Sequence, residues 1–364
     1  MSVSRAAVFA GIGGQLEMRQ IPTPTPVENE VLVRVLGCTL CGSDLHSFEA
    51  RRSVPVPTIL GHEIVGEVVA IGPRTQASGR LSESPTVGDS LTVGDRITWA
   101  IVAACGKCFY CQRDLPQKCL QSVKYGHEAL RPGGELRGGL ADHCLLAPGT
   151  FSTKLPHNLP LEVACPASCA TATVAAALER AGDLTGQTVC ILGAGLLGLT
   201  ACAMANSLQA GAVLCVDRDH SRRELALRFG ATAAVSPEQL AEQSKALTQG
   251  HGIDLLLELT GAPAAMMNAW PCLRIGGKIG WIGAVFPGES LSISMEQVIR
   301  RHLTIFGIHN YAPRHLARAV EFLGGNHERF PFQSLVARWL PLEEAAAAFE
   351  LARDPAAVRI GVMP

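Results

Sequence analysis

Four cysteines crowd the stretch CGKCFYCQRDLPQKC, residues 105–119, separated by two, two and seven residues. Thiolates at Cys105, Cys108, Cys111 and Cys119 suit a tetrahedral, all-cysteine zinc site, and four protein ligands leave no position for water or substrate. Such a site fixes a loop and activates nothing. Chemistry at a metal needs fewer protein ligands. The second concentration of ligand-type side chains is LCGSDLH, with Cys41, Ser43, Asp44 and His46, followed by GHE, with His62 and Glu63. A third ligand candidate, Cys169, lies far downstream in PASCATATV. Two cysteines and a histidine with an open fourth position form a zinc arrangement that can act as a Lewis acid. Spacing alone leaves this second set open, because a single histidine beside a strand is more often packed or solvated than ligating.

The other chemistry-bearing pattern is ILGAGLLG, which places Gly193, Gly195 and Gly198 in G-x-G-x-x-G. It follows an apolar strand, opens a helix, and meets Asp217 19 residues after the third glycine. Together these make the full dinucleotide fingerprint. Gly193 permits the tight turn, Gly195 lets backbone amides approach a pyrophosphate, and the helix N-terminus favours its charge. Leu196 and Leu197 within the motif, and Thr260 near the end of IDLLLELTG, are expected among the cofactor-binding residues. A carboxylate at Asp217 accepts hydrogen bonds from ribose hydroxyls and repels the extra phosphate of NADP, so NAD is the expected cofactor. Arg218, Arg222 and Arg223 lie nearby and offset part of that preference.

These groups must be positioned by two kinds of scaffold. The first 155 residues read as mostly β. VENEVLVRVLG (27–37) alternates as a half-buried strand does, GHEIVGEVVAIG (61–72) is bounded by glycines, and DRITWAIV continues the sheet. Residues 73–93, with the near-duplication TVGDSLTVGD, read as an exposed loop. The pattern changes near residue 160. LEVACPASCATATVAAALERAG reads as one helix ending at Gly182, and strands and helices then alternate to LTIFGI. Near-continuous apolar strands between helices mean a parallel, doubly wound sheet. The expected organisation is α/β: a β domain over 1–158 carrying the cysteine lobe (about 100–120), a Rossmann domain over 159–308, and a segment 309–364 returning to the first domain through the final strand, VRIGVM.

Bulk properties narrow the function classes. A chain of 364 residues is expected to form two domains. A net charge of −1 with no long basic or acidic run gives no support to a nucleic-acid or anionic-membrane partner. The apolar runs are short of a membrane span, and MSVSRAAVFAGIGG reads as a first strand and turn, so a cytoplasmic protein is expected. An odd count of 13 cysteines argues against a disulfide framework. Cys38, Cys144, Cys190, Cys202, Cys215 and Cys272 read as buried thiols.

The motifs GHEIVGEVVAIG, VGDRI, the four-cysteine lobe, ILGAGLLG and CGSDLH together resemble the zinc-dependent medium-chain alcohol dehydrogenases over essentially the whole chain. The resemblance implies a GroES-like β domain followed by a Rossmann domain. It implies two zinc ions per chain: a catalytic one on Cys41, His62 and Cys169, and a structural one on the four-cysteine lobe. Cys165 shares the third ligand's segment, but ATATVAAAL aligns the family's helix after Cys169. Glu63 is implied to approach the catalytic metal in some members, and Asp44 to orient His62. Ser43 and His46 match proton-relay positions, Thr173 a nicotinamide contact, and Arg222 a basic residue near the adenosine ribose. The implied reaction interconverts a small alcohol and its aldehyde, with hydride passing to nicotinamide and the proton leaving through Ser43 and His46. The family's dimers and tetramers imply a homo-oligomer.

KYGHEAL, ACPASCATATVAAALERAGDL, VFPGE and GIHNYAPRHL further resemble the alcohol dehydrogenases associated with phosphonate catabolism. The implied substrate is a small phosphonate, 2-hydroxyethylphosphonate or phosphonoacetaldehyde. Arg51, Arg52 and Arg314 are the candidate partners of its acid group. A polyol or simple alcohol dehydrogenase of the same architecture is the alternative, and a zinc- and nucleotide-binding protein without turnover the more distant one.

Overall fold

The structure, a computed structural model, describes residues 2–11, 15–73, 90–131, 136–285 and 288–364. Most of the 73–93 loop expectation, and Phe286 and Pro287 of VFPGE, lie outside the described residues. The chain divides into two compact units. The first runs to Ala172 and takes in Ala312–Glu328 and Phe332–Pro364; the second comprises Thr173–Tyr311 and Arg329–Pro331.

The first unit is built on mostly antiparallel sheets, in which Val336–Pro341 runs parallel to Arg359–Met363. Val3–Phe9 pairs with Leu16–Pro22 and with Thr58–Ile59. Val31–Thr39 is central to the larger sheet, between Glu63–Ile71 on one side and His143–Leu146 and Arg359–Met363 on the other. Its burial pattern is nearly continuous rather than alternating, as expected of a strand covered on both faces. The last strand, Arg359–Met363, joins at Gly361↔Thr39 and Val362↔Cys38, so the C-terminal segment completes the sheet that bears Cys41 and His62 at its end. Phe48 stacks on Phe349 at 4.2 Å between centroids, tying the short helix Gly42–Phe48 to Ala345–Ala352 in the same core. Burying such a ring stabilises by roughly 1.5–3 kcal/mol.

The second unit contains a six-stranded, fully parallel sheet. Its order is Ala233–Val235, Ala212–Val216, Thr188–Leu192, Ile253–Glu258, Leu273–Trp281, Thr304–Gly307. Thr188–Leu192 and Ala212–Val216 are buried at every position, the signature of strands covered by helices on both faces. The strand order reverses beside Thr188–Leu192, and in such folds ligands bind outside the carboxyl ends of the strands at this switch. The fold is α/β, as expected.

One element differs from the sequence expectation. The helix read over 161–182 is three pieces: Leu161–Ala164, a tight turn Cys165–Ser168, and Ala170–Ala181. The break falls at Cys169, whose φ of −124° and ψ of −76° leave the helical region. Pro166 lacks an amide hydrogen to continue the ladder, and the Cys169 amide bonds back to the Pro166 carbonyl at 3.2 Å. The first two pieces pack on the strands around Glu63, which places the boundary between the compact units at 172/173 rather than at the expected 158/159. The first unit also takes in Ala312–Glu328 and Phe332–Pro364, whereas the sequence boundary stood at 308/309. Among the described residues no single helix is long and apolar enough to cross a membrane.

Candidate metal centres and nucleotide site

Asp44 organises the first centre. It is completely buried, in the first turn of the helix Gly42–Phe48. Its Oδ2 accepts from the Cys41 amide at 2.9 Å, and its Oδ1 from the Gly61 amide at 3.2 Å and from His62 Nδ1 at 2.9 Å. A carboxylate with three donors is satisfied in the interior. The bond to Nδ1 leaves Nε2 of His62 facing the thiols, with Ser43 Oγ 3.5 Å away. The break at Cys169 brings its sulfur to 3.9 Å from Cys41 Sγ. That is far beyond a disulfide. Two thiolates at about 2.3 Å from one tetrahedral ion stand about 3.8 Å apart, so the spacing fits a shared zinc. One ligand atom each from Cys41, His62, Glu63 and Cys169 falls within a 4.8 Å cluster.

The local field agrees with a cation there. Burial works against a charged His62, but Asp44 and Cys41 outweigh it and push its pKa up to about 10. A proton or a metal ion at Nε2 answers the same demand. The hydrogen bond from Cys169 holds the Cys41 thiol well below its usual range, while that bond and burial push Cys169 well above it. The pair thus divides one proton between two sulfurs, and a divalent ion displaces it.

Glu63 meets the centre but is also held elsewhere. Arg359 donates from Nε to Oε2 at 2.9 Å and from Nη2 to Oε1 at 3.0 Å, and Thr39 Oγ1 donates to Oε2 at 2.6 Å. Burial raises the Glu63 carboxyl and Arg359 pulls it back. Arg359 was not among the expected site residues. Its only local signal is a charge inside the apolar run VRIGVM, and its partner is 296 positions away.

The second centre is the expected lobe. Cys105, Cys108, Cys111 and Cys119 bring their sulfurs within a 4.8 Å cluster. Cys108 Sγ stands 3.5 Å from Cys111 Sγ and 3.9 Å from Cys119 Sγ, again tetrahedral-edge distances. The amides of Cys105 and Gln121 donate to Cys119 Sγ at 3.2 and 3.4 Å, as backbone amides do for ligating thiolates. All thirteen cysteines are free, and Cys38, Cys144, Cys190, Cys202 and Cys215 are buried, with Cys272 half-buried.

The nucleotide motif occupies the turn from Thr188–Leu192 into the helix Leu196–Ser207. Gly193 has φ +99° and donates to the Val216 carbonyl at 2.8 Å. A Cβ on Gly198 would stand 1.8 Å from the Gly193 carbonyl oxygen, so only glycine lets the helix sit against the turn. A Cβ on Gly195 would meet nothing within 4 Å; the space beside it is an open cradle at a helix N-terminus, which suits a pyrophosphate. Asp217 ends its strand with Oδ2 accepting from Ala194 at 2.7 Å and Oδ1 from Asp219 at 2.9 Å. Leu196 is buried and Leu197 half-buried. Thr260 donates through its amide and its hydroxyl to Glu258 Oε1 at 2.6 and 2.5 Å, and its methyl lies beside Gly193. Arg222 is half-buried on the helix His220–Arg228, while Arg223 Nη1 is tied to the Asp217 and Arg218 carbonyls at 2.8 Å. Thr173 is half-buried, one turn beyond Cys169.

The expected substrate arginines separate. Arg51 is two-thirds exposed and pairs with Glu49 at 3.1 Å. Arg314 Nη1 reaches both oxygens of Asp114 in the cysteine lobe, at 2.9 and 2.8 Å. Arg52 is half-buried; burial lowers its pKa against the pull of Asp44 and Cys41, which places its guanidinium in the field of the first centre. His46 is half-buried on the same helix as Ser43.

Comparison with known proteins fits this architecture. Residues 27–157 match the family described as alcohol dehydrogenase GroES-like domain, and residues 197–324 the family described as zinc-binding dehydrogenase. The L-threonine 3-dehydrogenase of Aeromonas salmonicida is 33% identical over 298 residues, 80% of each chain. That of Pyrococcus horikoshii is 32% identical over 307 residues, 82% of this chain and 80% of its own. The alcohol dehydrogenase of Thermotoga maritima superposes with a TM-score of 0.92 at 28% identity, covering 100% of both chains. With a GroES-like β domain, a Rossmann domain and donor sets that fit zinc, the chain belongs to the zinc-binding alcohol dehydrogenase family, zinc-dependent oxidoreductases that act on alcohols with NAD(P).

Proposed function

We propose that this protein is an NAD-linked dehydrogenase of a small alcohol bearing an acid group, with 2-hydroxyethylphosphonate and phosphonoacetaldehyde as the leading pair. The convergence of Cys41, His62 and Cys169 sulfur and nitrogen atoms in one small cluster carries the reading. These residues would hold a catalytic zinc, and the four-cysteine lobe a structural one. Bound there, zinc supplies Lewis acidity toward the alcohol oxygen.

The chain's own residues do the rest. Asp44 fixes the His62 ring through Nδ1, so the ligating nitrogen keeps its aim. Ser43 Oγ, 3.5 Å from His62 Nε2, would take the hydroxyl proton and pass it to His46, one turn further along the same helix. Gly195 and the amides that open the helix Leu196–Ser207 receive the cofactor's pyrophosphate, and Asp217 its adenosine ribose, which favours NAD over NADP. Thirteen free thiols suit a reducing compartment such as the cytosol. By analogy with the family's dimers and tetramers, we expect a homo-oligomer.

The phosphonate rests on the resemblance of KYGHEAL and GIHNYAPRHL and on Arg52 beside the first centre. A second reading is oxidation of L-threonine, favoured by the names of the relatives at 33% and 32% identity; it too is an alcohol with an acid group. Steady-state kinetics of the zinc-loaded protein with NAD separates them. The expected result is a higher kcat/KM for 2-hydroxyethylphosphonate than for L-threonine, 1-propanol or a polyol. Preference for L-threonine selects the second reading, and preference for propanol removes both.

A further inference from the structure

Lys124 is a half-buried lysine on the two-residue strand Val123–Lys124, opposite Val102. It forms no ion pair among the described residues. The carboxylate nearest in sequence, Glu128, is directed to the Lys124 backbone amide at 2.8 Å. A desolvated ammonium without a counter-ion is costly, so its place needs a reason.

Its location supplies one. Two residues on, Gly126 has φ +74°, and a Cβ there would meet the Gly61 carbonyl at 2.8 Å. The chain after Lys124 is therefore pressed against the residue before His62. Next comes His127, whose ring centroid is 5.6 Å from that of His62. His127 is 7% exposed. Its Nδ1 donates to the Tyr125 carbonyl at 2.9 Å, which leaves Nε2 as an acceptor, and Nε2 is buried without a partner. Burial lowers Lys124 to about 8, helped by the repulsion of Arg52 and opposed by Cys169 and Asp44. The strand that carries Lys124 thus leads directly into the turn packed on Gly61 and His62, and the charges of Lys124 and Arg52 bear on that centre.

With zinc on two thiolates and one imidazole the centre is neutral, and Asp44 is engaged with His62. Lys124 adds a cation beside it, and Arg52 contributes its field. We propose that Lys124, with Arg52, holds the acid group of the substrate, a phosphonate or a carboxylate, next to the centre formed by Cys41, His62 and Cys169. His127 Nε2 adds an acceptor for a donor on the substrate, such as the hydroxyl of a monoanionic phosphonate or an ammonium. This assignment rests on the acid-bearing substrate proposed above and replaces Arg51 and Arg314, both already paired with carboxylates.

The test uses zinc-loaded wild type, Lys124→Met and Lys124→Arg. Kinetics are measured with 2-hydroxyethylphosphonate, 3-hydroxypropanoate and 1-propanol, and calorimetric binding with ethylphosphonate and propanoate. A charge-assisted contact predicts that Lys124→Met lowers the ratio of kcat/KM for the anionic alcohols to that for propanol by about 10- to 100-fold, through KM. Ethylphosphonate or propanoate binding weakens by a similar factor, and Lys124→Arg recovers most of it. Tighter wild-type binding of ethylphosphonate identifies the phosphonate, and tighter binding of propanoate the carboxylate. If wild type prefers an anionic alcohol but Lys124→Met leaves the ratio unchanged, the assignment of Lys124 fails while the acid-bearing substrate stands. If wild type binds neither anion and prefers propanol, both fail.

Discussion

Asp44 Oδ1 and His62 Nδ1 lie 2.9 Å apart, both side chains almost wholly shielded from water, and the same carboxylate closes the turn that begins at Cys41. One residue thus sets both the aim of an imidazole and the position of a thiol. Asp44→Asn keeps the shape and removes the charge. We expect zinc affinity at the first centre to fall about 10- to 100-fold, as for other partners of ligating histidines. Competition with a chromogenic chelator measures it; unchanged affinity would mean that Asp44 has only a structural part.

The two centres should separate by mutation. Zinc analysis of the wild type should find about two ions per chain, as the donor sets imply. Cys108→Ser should lose zinc and lower the melting temperature more than it changes turnover in the molecules that stay folded. Zinc content and thermal melting measured on one preparation check this, and a single ion per wild-type chain would contradict it.

The buried pair Glu63–Arg359 should be sensitive to loss of one partner. Arg359→Met leaves an uncompensated carboxylate in the core and should cost about 3–5 kcal/mol, while Glu63→Gln combined with Arg359→Met should recover part of it. Chemical denaturation of both variants decides.

The glycine motif offers a comparison within one turn. Gly198→Ala places a methyl 1.8 Å from the Gly193 carbonyl and should destabilise the nucleotide-binding unit. Gly195→Ala meets no protein atom, so melting should be little changed while NADH binding, read by fluorescence titration, weakens about tenfold or more. Equal melting of the two variants would contradict the geometry.

Cofactor preference should turn on Asp217. Wild type should favour NAD, and Asp217→Ala, with Arg218 and Arg222 in place, should narrow or reverse the ratio of kcat/KM for NAD and NADP. A wild type that prefers NADP would show that this strand end is misread.

What could be read without coordinates was local in the chain. The cysteine lobe and the Gly193–Gly198 motif announce themselves by spacing, because each folds within a single loop or turn. Cys169 could be assigned only through family resemblance, since its approach to Cys41 depends on a helix break that an alanine-rich stretch conceals. Arg359 and His127 were silent for the same reason: each meets its neighbour through strand pairing or glycine contact between distant segments. Arg51 and Arg314 attracted attention by charge, yet charge alone does not tell whether a carboxylate such as Glu49 or Asp114 waits nearby.

The most direct test of the central claim compares NADH formation by zinc-loaded wild type and Cys41→Ser on a panel of alcohols that includes 2-hydroxyethylphosphonate. Cys41→Ser should stay folded, keep the zinc of the four-cysteine lobe, and lose nearly all turnover on every alcohol the wild type oxidises. Equal rates in the two proteins would contradict it.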